Sequence, residues 1–212
     1  MLKGIVFDLD GTLVDSLSVT FDAFNYGITQ FGGRKHTPAE IMKYFGTGED
    51  EIFVQIMGKE KAAQAYAACC KYTDENLAHV PLHSGVGDLL ENLKSAGVPI
   101  SIFTGRSWIT TEMILKHHGL MDRFITVVAN DHVDFPKPSP AGLHLALSKM
   151  KLNPNEVLFV GDSPADMIAS RAAGSQGVAA LWDLLAEKEL LQPHEPHHWA
   201  THPMDIWKVW KH

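Results

Sequence analysis

Two aspartates stand at the end of an apolar run, in Ile5-Val6-Phe7-Asp8-Leu9-Asp10-Gly11-Thr12. Held close together, two carboxylates repel, and one of them is pushed to a higher pKa. A divalent cation would remove that cost, and a nucleophile paired with a proton shuttle would exploit it. The structural alternative is a strand closing in a polar turn, with Asp10-Gly11 as turn formers. A second acidic pair follows another apolar run, in Val160-Gly161-Asp162-Ser163-Pro164-Ala165-Asp166. An aspartate at a strand's end is a good oxygen ligand for Mg²⁺. Pro164 also suits a helix start, with Asp162 or Ser163 as its cap. Between these pairs lie Ile102-Phe103-Thr104-Gly105-Arg106 and Phe135-Pro136-Lys137-Pro138-Ser139-Pro140. Thr104 offers a hydroxyl and Gly105 an unobstructed N–H, both suited to a phosphate oxygen, or to a plain turn. The prolines stiffen the loop around Lys137, so its ammonium meets an anion with little freedom left to lose. A Pro-rich loop that merely caps the next helix at Ser139 has the same composition.

Something must bring these four segments together. Apolar runs predict core strands over Gly4–Phe7, Pro99–Phe103, Phe124–Ala129, Val157–Val160 and Gly177–Ala180, with an edge strand near His198–Ala200. Helical spacing predicts helices between them, over Gly85–Ala96, Ile109–His118, Pro140–Met150 and Ala165–Ala173. Alternating strands and helices define an α/β protein with a parallel sheet. Ligands of such a doubly wound sheet gather beyond the carboxyl ends of the strands, where all four segments fall. Residues 16–80 break the alternation with helical patterns over Leu17–Phe31, Pro38–Phe45, Asp50–Met57 and Lys61–Ala78. The expected organisation is a core of residues 1–15 and 81–212 with a helical insert, residues 16–80. The insert would cover the site and exclude water from it, moving on hinges near Asp15-Ser16 and Val80–Ser84.

Composition narrows the partners. The chain has 212 residues, 45% of them hydrophobic, and a formal charge of −7. With no long basic block, no nucleic-acid or anionic-membrane partner is expected. The N-terminal apolar run is too short for a signal peptide or a spanning helix. The two cysteines, Cys69 and Cys70, are adjacent and fit a reducing, cytoplasmic setting as buried helix residues. The histidines near the end (His194, His197, His198, His202 and His212) are irregularly spaced and read as a solvated tail without a metal.

Together the four segments resemble the haloacid dehalogenase superfamily. Asp8-Leu9-Asp10-Gly11-Thr12 is similar to its first motif, Thr104 to the second, Lys137 to the third, and Gly161-Asp162-Ser163-Pro164-Ala165-Asp166 to the fourth. The helical insert resembles the cap that this superfamily places between the first and second motifs. The resemblance implies a Rossmann-like sheet of order 3-2-1-4-5, Mg²⁺ dependence and an aspartyl-phosphate intermediate. It implies Asp8 as nucleophile and Asp10 as acid and base. Mg²⁺ would sit on the side chains of Asp8 and Asp162 and the backbone carbonyl of Asp10. Thr104, Gly105 and Lys137 would hold the phosphate, with Asp166 and Ser163 in support.

Residue identity narrows the branch. Asp10 argues for phosphoryl transfer over dehalogenation, since a leaving halide needs no proton. The cap loop Gly46-Thr47-Gly48-Glu49-Asp50-Glu51 has no lysine of the phosphonatase kind. Glu49 and Gly161 stand where β-phosphoglucomutase-type enzymes carry arginine and glutamate. The expected activity is therefore that of a phosphatase similar to the phosphoglycolate phosphatases, acting on a small phosphorylated substrate as monomer or homodimer. A β-phosphoglucomutase-type phosphotransferase and a catalytically silent binding or regulatory protein are the alternatives. Glu49, Asp50 and Arg106 are the expected specificity residues. The acidic loop argues against phosphoglycolate itself, leaving a sugar phosphate, a nucleoside monophosphate or pyrophosphate open.

Overall fold

The computed structural model describes residues 1–211, so His212 lies outside the described residues. Its elements run, in chain order, β1 (Gly4–Phe7), α1 (Leu17–Gln30), α2 (Pro38–Met42), α3 (Glu49–Met57), α4 (Lys59–Glu75), α5 (Val86–Ser95), β2 (Ile100–Phe103) and α6 (Trp108–His117). They continue with β3 (Val127–Val128), α7 (Ala141–Met150), β4 (Val157–Gly161), α8 (Pro164–Ala173), β5 (Gln176–Ala180), α9 (Lys188–Leu191), β6 (His198–Ala200) and α10 (Met204–Lys211).

The strands form one sheet in the order β3-β2-β1-β4-β5-β6, with every neighbouring pair parallel. Successive side chains of β1 serve opposite faces, as a period of two requires. Ile5 and Phe7 join Ile100, Ile102, Leu158 and Val160 under α5 and α6, while Val6 joins Phe103 and Phe159 under α7 and α8. Burial on both faces explains why these strands read as unbroken apolar runs. β3 is shorter than the expected Phe124–Ala129. Ile125 and Thr126 still exchange backbone hydrogen bonds with β2, but Phe124 follows a turn of 3₁₀ helix.

The helices α1–α4 enclose their own apolar cluster, including Phe21, Phe24, Ile28, Ile41, Ile52 and Phe53. The Phe24 and Phe53 rings stack at 5.1 Å between centroids. Cys69 and Cys70 are free thiols buried here, and burial pushes both above the ordinary thiol range. The connections into and out of this helical segment lie side by side. Asp15 donates its N–H to the Pro81 carbonyl, and His83 donates to Leu13.

The C-terminal segment is not the solvated tail expected from its histidines. β6 extends the sheet beside β5, and α10 packs against α5. His197 Nδ1 accepts the Gly177 N–H at 3.1 Å, and His198 lies 3.1 Å from Gln176 Oε1. Ile206 of α10 is 0% exposed within the core. Ile206→Ala is therefore expected to cost about 2–4 kcal/mol through lost burial and a cavity. Urea unfolding measures this, and a change below about 0.5 kcal/mol, the surface-site range, would show the tail to be solvated after all.

Candidate active site

Asp8 leaves β1 at the centre of the sheet, its N–H bonded to the Val160 carbonyl at 2.8 Å. The chain then turns tightly, with the Leu9 carbonyl accepting from Thr12, Leu13 and Val14. Gly11 has φ +72°, and a Cβ there would lie 2.3 Å from Asp162 Oδ2. Only glycine permits both the left-handed turn and the approach of Asp162. Thr12 Oγ1 donates to Asp162 Oδ1 at 3.0 Å. Beyond β4, Ser163 caps α8 in a reciprocal capping box with Asp166. A Cβ on Gly161 would strike the Asp166 side chain at 2.3 Å, so this glycine too is set by close packing.

Lys137 joins the acids. Its Nζ lies 2.8 Å from Asp8 Oδ1 and 2.7 Å from Asp166 Oδ1. The ammonium also sits over the rings of Phe103 and Phe159 at 5.4 and 5.8 Å. Oxygens of Asp8, Asp162 and Asp166 lie within 4.8 Å of one another. One ammonium among three carboxylates leaves excess negative charge in a poorly solvated place. Burial, opposed by Lys137 and reinforced by Asp166 and Asp10, pushes Asp8 up to about 7. Burial and the charges of Asp8 and Asp166 push Asp162 well above its ordinary range. Beyond the Lys137 ammonium, Asp8 Oδ1 has no hydrogen-bond partner among the described residues. A set of clustered oxygen donors short of positive charge is what a hard divalent cation fits.

The Asp10 carboxylate turns away from this cluster. Arg106 Nε donates to both its oxygens at 3.1 and 3.0 Å, and Arg106 Nη2 donates to Oδ1 at 2.8 Å. Ser16 Oγ donates to Oδ1 as well. Burial alone would raise Asp10, but Arg106 and Ser16 outweigh it and hold the carboxyl below its ordinary range. The same guanidinium reaches Thr20 Oγ1 at 2.6 Å and Glu49 Oε1 at 3.4 Å. Thr110 Oγ1 donates to Glu49 Oε2 at 3.0 Å. Burial raises the Glu49 carboxyl against the pull of Arg106. Arg106 thus joins the sheet end to the helical segment through two carboxylates.

The cavity above these groups, about 430 Å³, is lined by Asp8, Asp10, Thr104, Gly105, Arg106, Lys137, Asp162 and Ser163 on its polar side. The expected residues therefore meet, with one exception. Asp50 is exposed and does not line the cavity. Residues Glu49, Asp50 and Glu51 form the first turn of α3, where acids complement the helix dipole, and only Glu49 turns inward. The acidic run thus has a local structural cause that the sequence reading assigned to specificity. Sequence reasoning missed Ser16, Thr20 and Thr110, which orient the Arg106 network. It also missed Asn130, which lines the cavity from a short turn with no motif around it.

The sheet order, the four strand-end segments and the acidic pairs define a haloacid dehalogenase-type hydrolase. The model of that family, haloacid dehalogenase-like hydrolase, matches residues 5–180, and the chain belongs to it. Among its relatives is the phosphoglycolate phosphatase of Yersinia pseudotuberculosis serotype I, 33% identical over 181 residues, spanning 82% of this chain and 78% of that one. The pyrophosphatase PpaX of Bacillus velezensis is 28% identical over 207 residues, spanning 97% and 94%. A crystal structure of a predicted phosphoglycolate phosphatase from Haemophilus somnus 129PT matches with TM-score 0.87 at 25% identity, covering 98% of this chain and 97% of that one. Family and site make the protein a hydrolase of the phosphatase kind. Among the described residues, no helix is long and apolar enough to cross a membrane.

Proposed function

We propose that the protein hydrolyses a small phosphate monoester in two steps, through an aspartyl phosphate on Asp8, with Mg²⁺ as cofactor. The observation that carries this reading is the Asp8 carboxylate held against Lys137 in a cavity that Asp10 also lines. Asp8 attacks phosphorus, the ester P–O bond breaks, and the leaving oxygen takes a proton from Asp10. Water then loses a proton to Asp10 and attacks the same phosphorus, so that the acyl phosphate breaks to free Asp8 and inorganic phosphate. A carboxylate approaching a phosphate dianion meets repulsion. The Lys137 ammonium, the Thr104 hydroxyl and the Gly105 N–H would offset it. Mg²⁺, held by Asp8, Asp162 and the Asp10 carbonyl, supplies further charge neutralisation when bound. Asp166 and Ser163 fix Lys137 and the start of α8.

Asp10 changes role between the steps, and Arg106 bears on the change. The pairing with Arg106 favours the ionised form of Asp10, the form that can take a proton from water. Its work as an acid requires Arg106 to loosen. Because Glu49 shares Arg106, movement of residues 16–80 as a cap would couple closure to the proton state of Asp10. The joint presence of nucleophile, shuttle, lysine and acidic cluster supports an enzyme over a silent binding module. Phosphoglycolate and pyrophosphate, named for the relatives, are the first substrates to test.

Purified protein assayed on p-nitrophenyl phosphate is expected to turn over with Mg²⁺ and to lose at least about a hundredfold in EDTA, since the ion contributes several kcal/mol. Full activity in EDTA, or none with Mg²⁺, would overturn the reading.

A further inference from the structure

We infer that the leaving group of the substrate is an uncharged and chiefly apolar alcohol or phenol, seated against the helical segment and not a second anion; this rests on the phosphatase reading above.

The cavity has two unlike halves. Its floor holds the charged groups already described. Its wall is built from Phe21, Met42, Phe45 and Ile52 of the helical segment and from Leu185 and Leu190 on the core side. Phe21 and Phe45 stack with ring centroids at 6.2 Å. Phe45 is 44% exposed and Leu190 53% exposed. Large apolar side chains left open at the mouth of a reaction cavity raise the free energy of the empty site, and an apolar ligand relieves that cost. A volume of about 430 Å³ is also far larger than glycolate, the smallest hydroxy acid, would fill.

Charge points the same way. Outside the phosphate corner, the cation in the cavity is Arg106. Its guanidinium already faces two carboxylates, Asp10 and Glu49, and a hydroxyl, Thr20. A second anion on the substrate, such as a carboxylate or another phosphate, would meet those acids instead of a free cation. To bind, it would have to displace a buried, hydrogen-bonded carboxylate, which leaves that charge unpaired. An uncharged leaving group disturbs nothing.

Thr47, Asn130 and Glu187 also line the cavity, and none of them is a cation. Asn130 is 7% exposed, and its Oδ1 has no hydrogen-bond partner among the described residues. A buried acceptor without a partner is costly, and a single hydroxyl or N–H on the leaving group would satisfy it. The recognised group is then mostly apolar, with a donor for Asn130.

The test uses purified full-length protein with Mg²⁺ and a set of phosphate esters. Across ethyl, butyl and hexyl phosphates, kcat/KM is expected to rise roughly two- to fourfold per methylene, up to the value for a fully buried CH₂. Isobutyl phosphate, the uncharged counterpart of phosphoglycolate in shape, is expected to exceed phosphoglycolate by at least about tenfold, and inorganic pyrophosphate by more. Phe45→Ser and Leu190→Ser, one on each side of the mouth and both partly exposed, should each flatten the chain-length dependence. Circular dichroism checks that the variants fold. If p-nitrophenyl phosphate is hydrolysed but the alkyl series is flat, or phosphoglycolate or pyrophosphate is preferred, the inference fails and the phosphatase reading stands. If no ester is hydrolysed at all, both fail.

Discussion

Asp8→Asn is expected to leave a folded protein that has lost at least about 10⁴-fold of its ester hydrolysis with Mg²⁺, the scale on which removal of a nucleophile acts. The amide keeps the shape of the carboxylate but cannot form the acyl phosphate. Its effect on stability separates chemistry from misfolding. Asp8 is raised by burial to about 7 from an ordinary 3.8. Between about pH 3.8 and 7 the folded protein therefore holds a proton at this site that the unfolded chain has released. The resulting stabilisation is complete below about pH 3.8, declines as pH rises, and is gone above about 7. Asn cannot ionise and escapes that decline. In EDTA at pH 8 the variant should be more stable than the parent by about 1–3 kcal/mol, with the difference shrinking towards pH 5. Mg²⁺ should then stabilise the parent more than the variant. Thermal unfolding at the two pH values reads both effects. A variant that is inactive and also less stable at pH 8 would mean that Asp8 is a structural group, with the nucleophile to be sought elsewhere.

The parts of this protein that the sequence made legible are those governed by local rules. β1 and β4 are buried on both faces, so their apolar runs are continuous and end where Asp8 and Gly161-Asp162 begin. The capping box at Ser163 and Asp166 is likewise a short-range pattern. The placement of Asp8, Asp162 and Asp166 at one point follows from the strand order, because β1 and β4 are neighbours, while Lys137 arrives from the loop between β3 and α7. Partner choice across the fold was not legible. Arg106 pairs with Asp10 and Glu49 over separations of 96 and 57 residues, and no local pattern distinguishes Glu49 from Asp50. The one faces inward and the other outward only because α3 packs with a particular rotation. Phe21 and Phe24 lie within the helical pattern expected over Leu17–Phe31. Phe24 does stack in the cluster, yet both also line the cavity. At the C-terminus the histidines drew attention from Met204, Ile206, Trp207 and Trp210, whose spacing carries an amphipathic helix.

Asp10→Asn is expected to cut the first step by about 10²- to 10⁴-fold for an alkyl phosphate, the range of general acid catalysis. An alkoxide is a poor leaving group and needs the proton; p-nitrophenolate does not. For p-nitrophenyl phosphate the first step should therefore lose far less than for butyl phosphate. The second step uses Asp10 as base with either substrate, so hydrolysis of the acyl phosphate becomes limiting. The variant should then show a burst of p-nitrophenol, of about one equivalent per active site, followed by slow turnover. Asp10 also anchors Arg106 through three hydrogen bonds, which raises a competing explanation. If the variant acts only by loosening Arg106 and the helical segment bound to it through Glu49, both leaving groups suffer alike and no burst appears. Rapid-quench phosphorylation with the two esters separates these cases. Equal losses in the first step would remove Asp10 from the chemistry and leave it a positioning role beside Arg106.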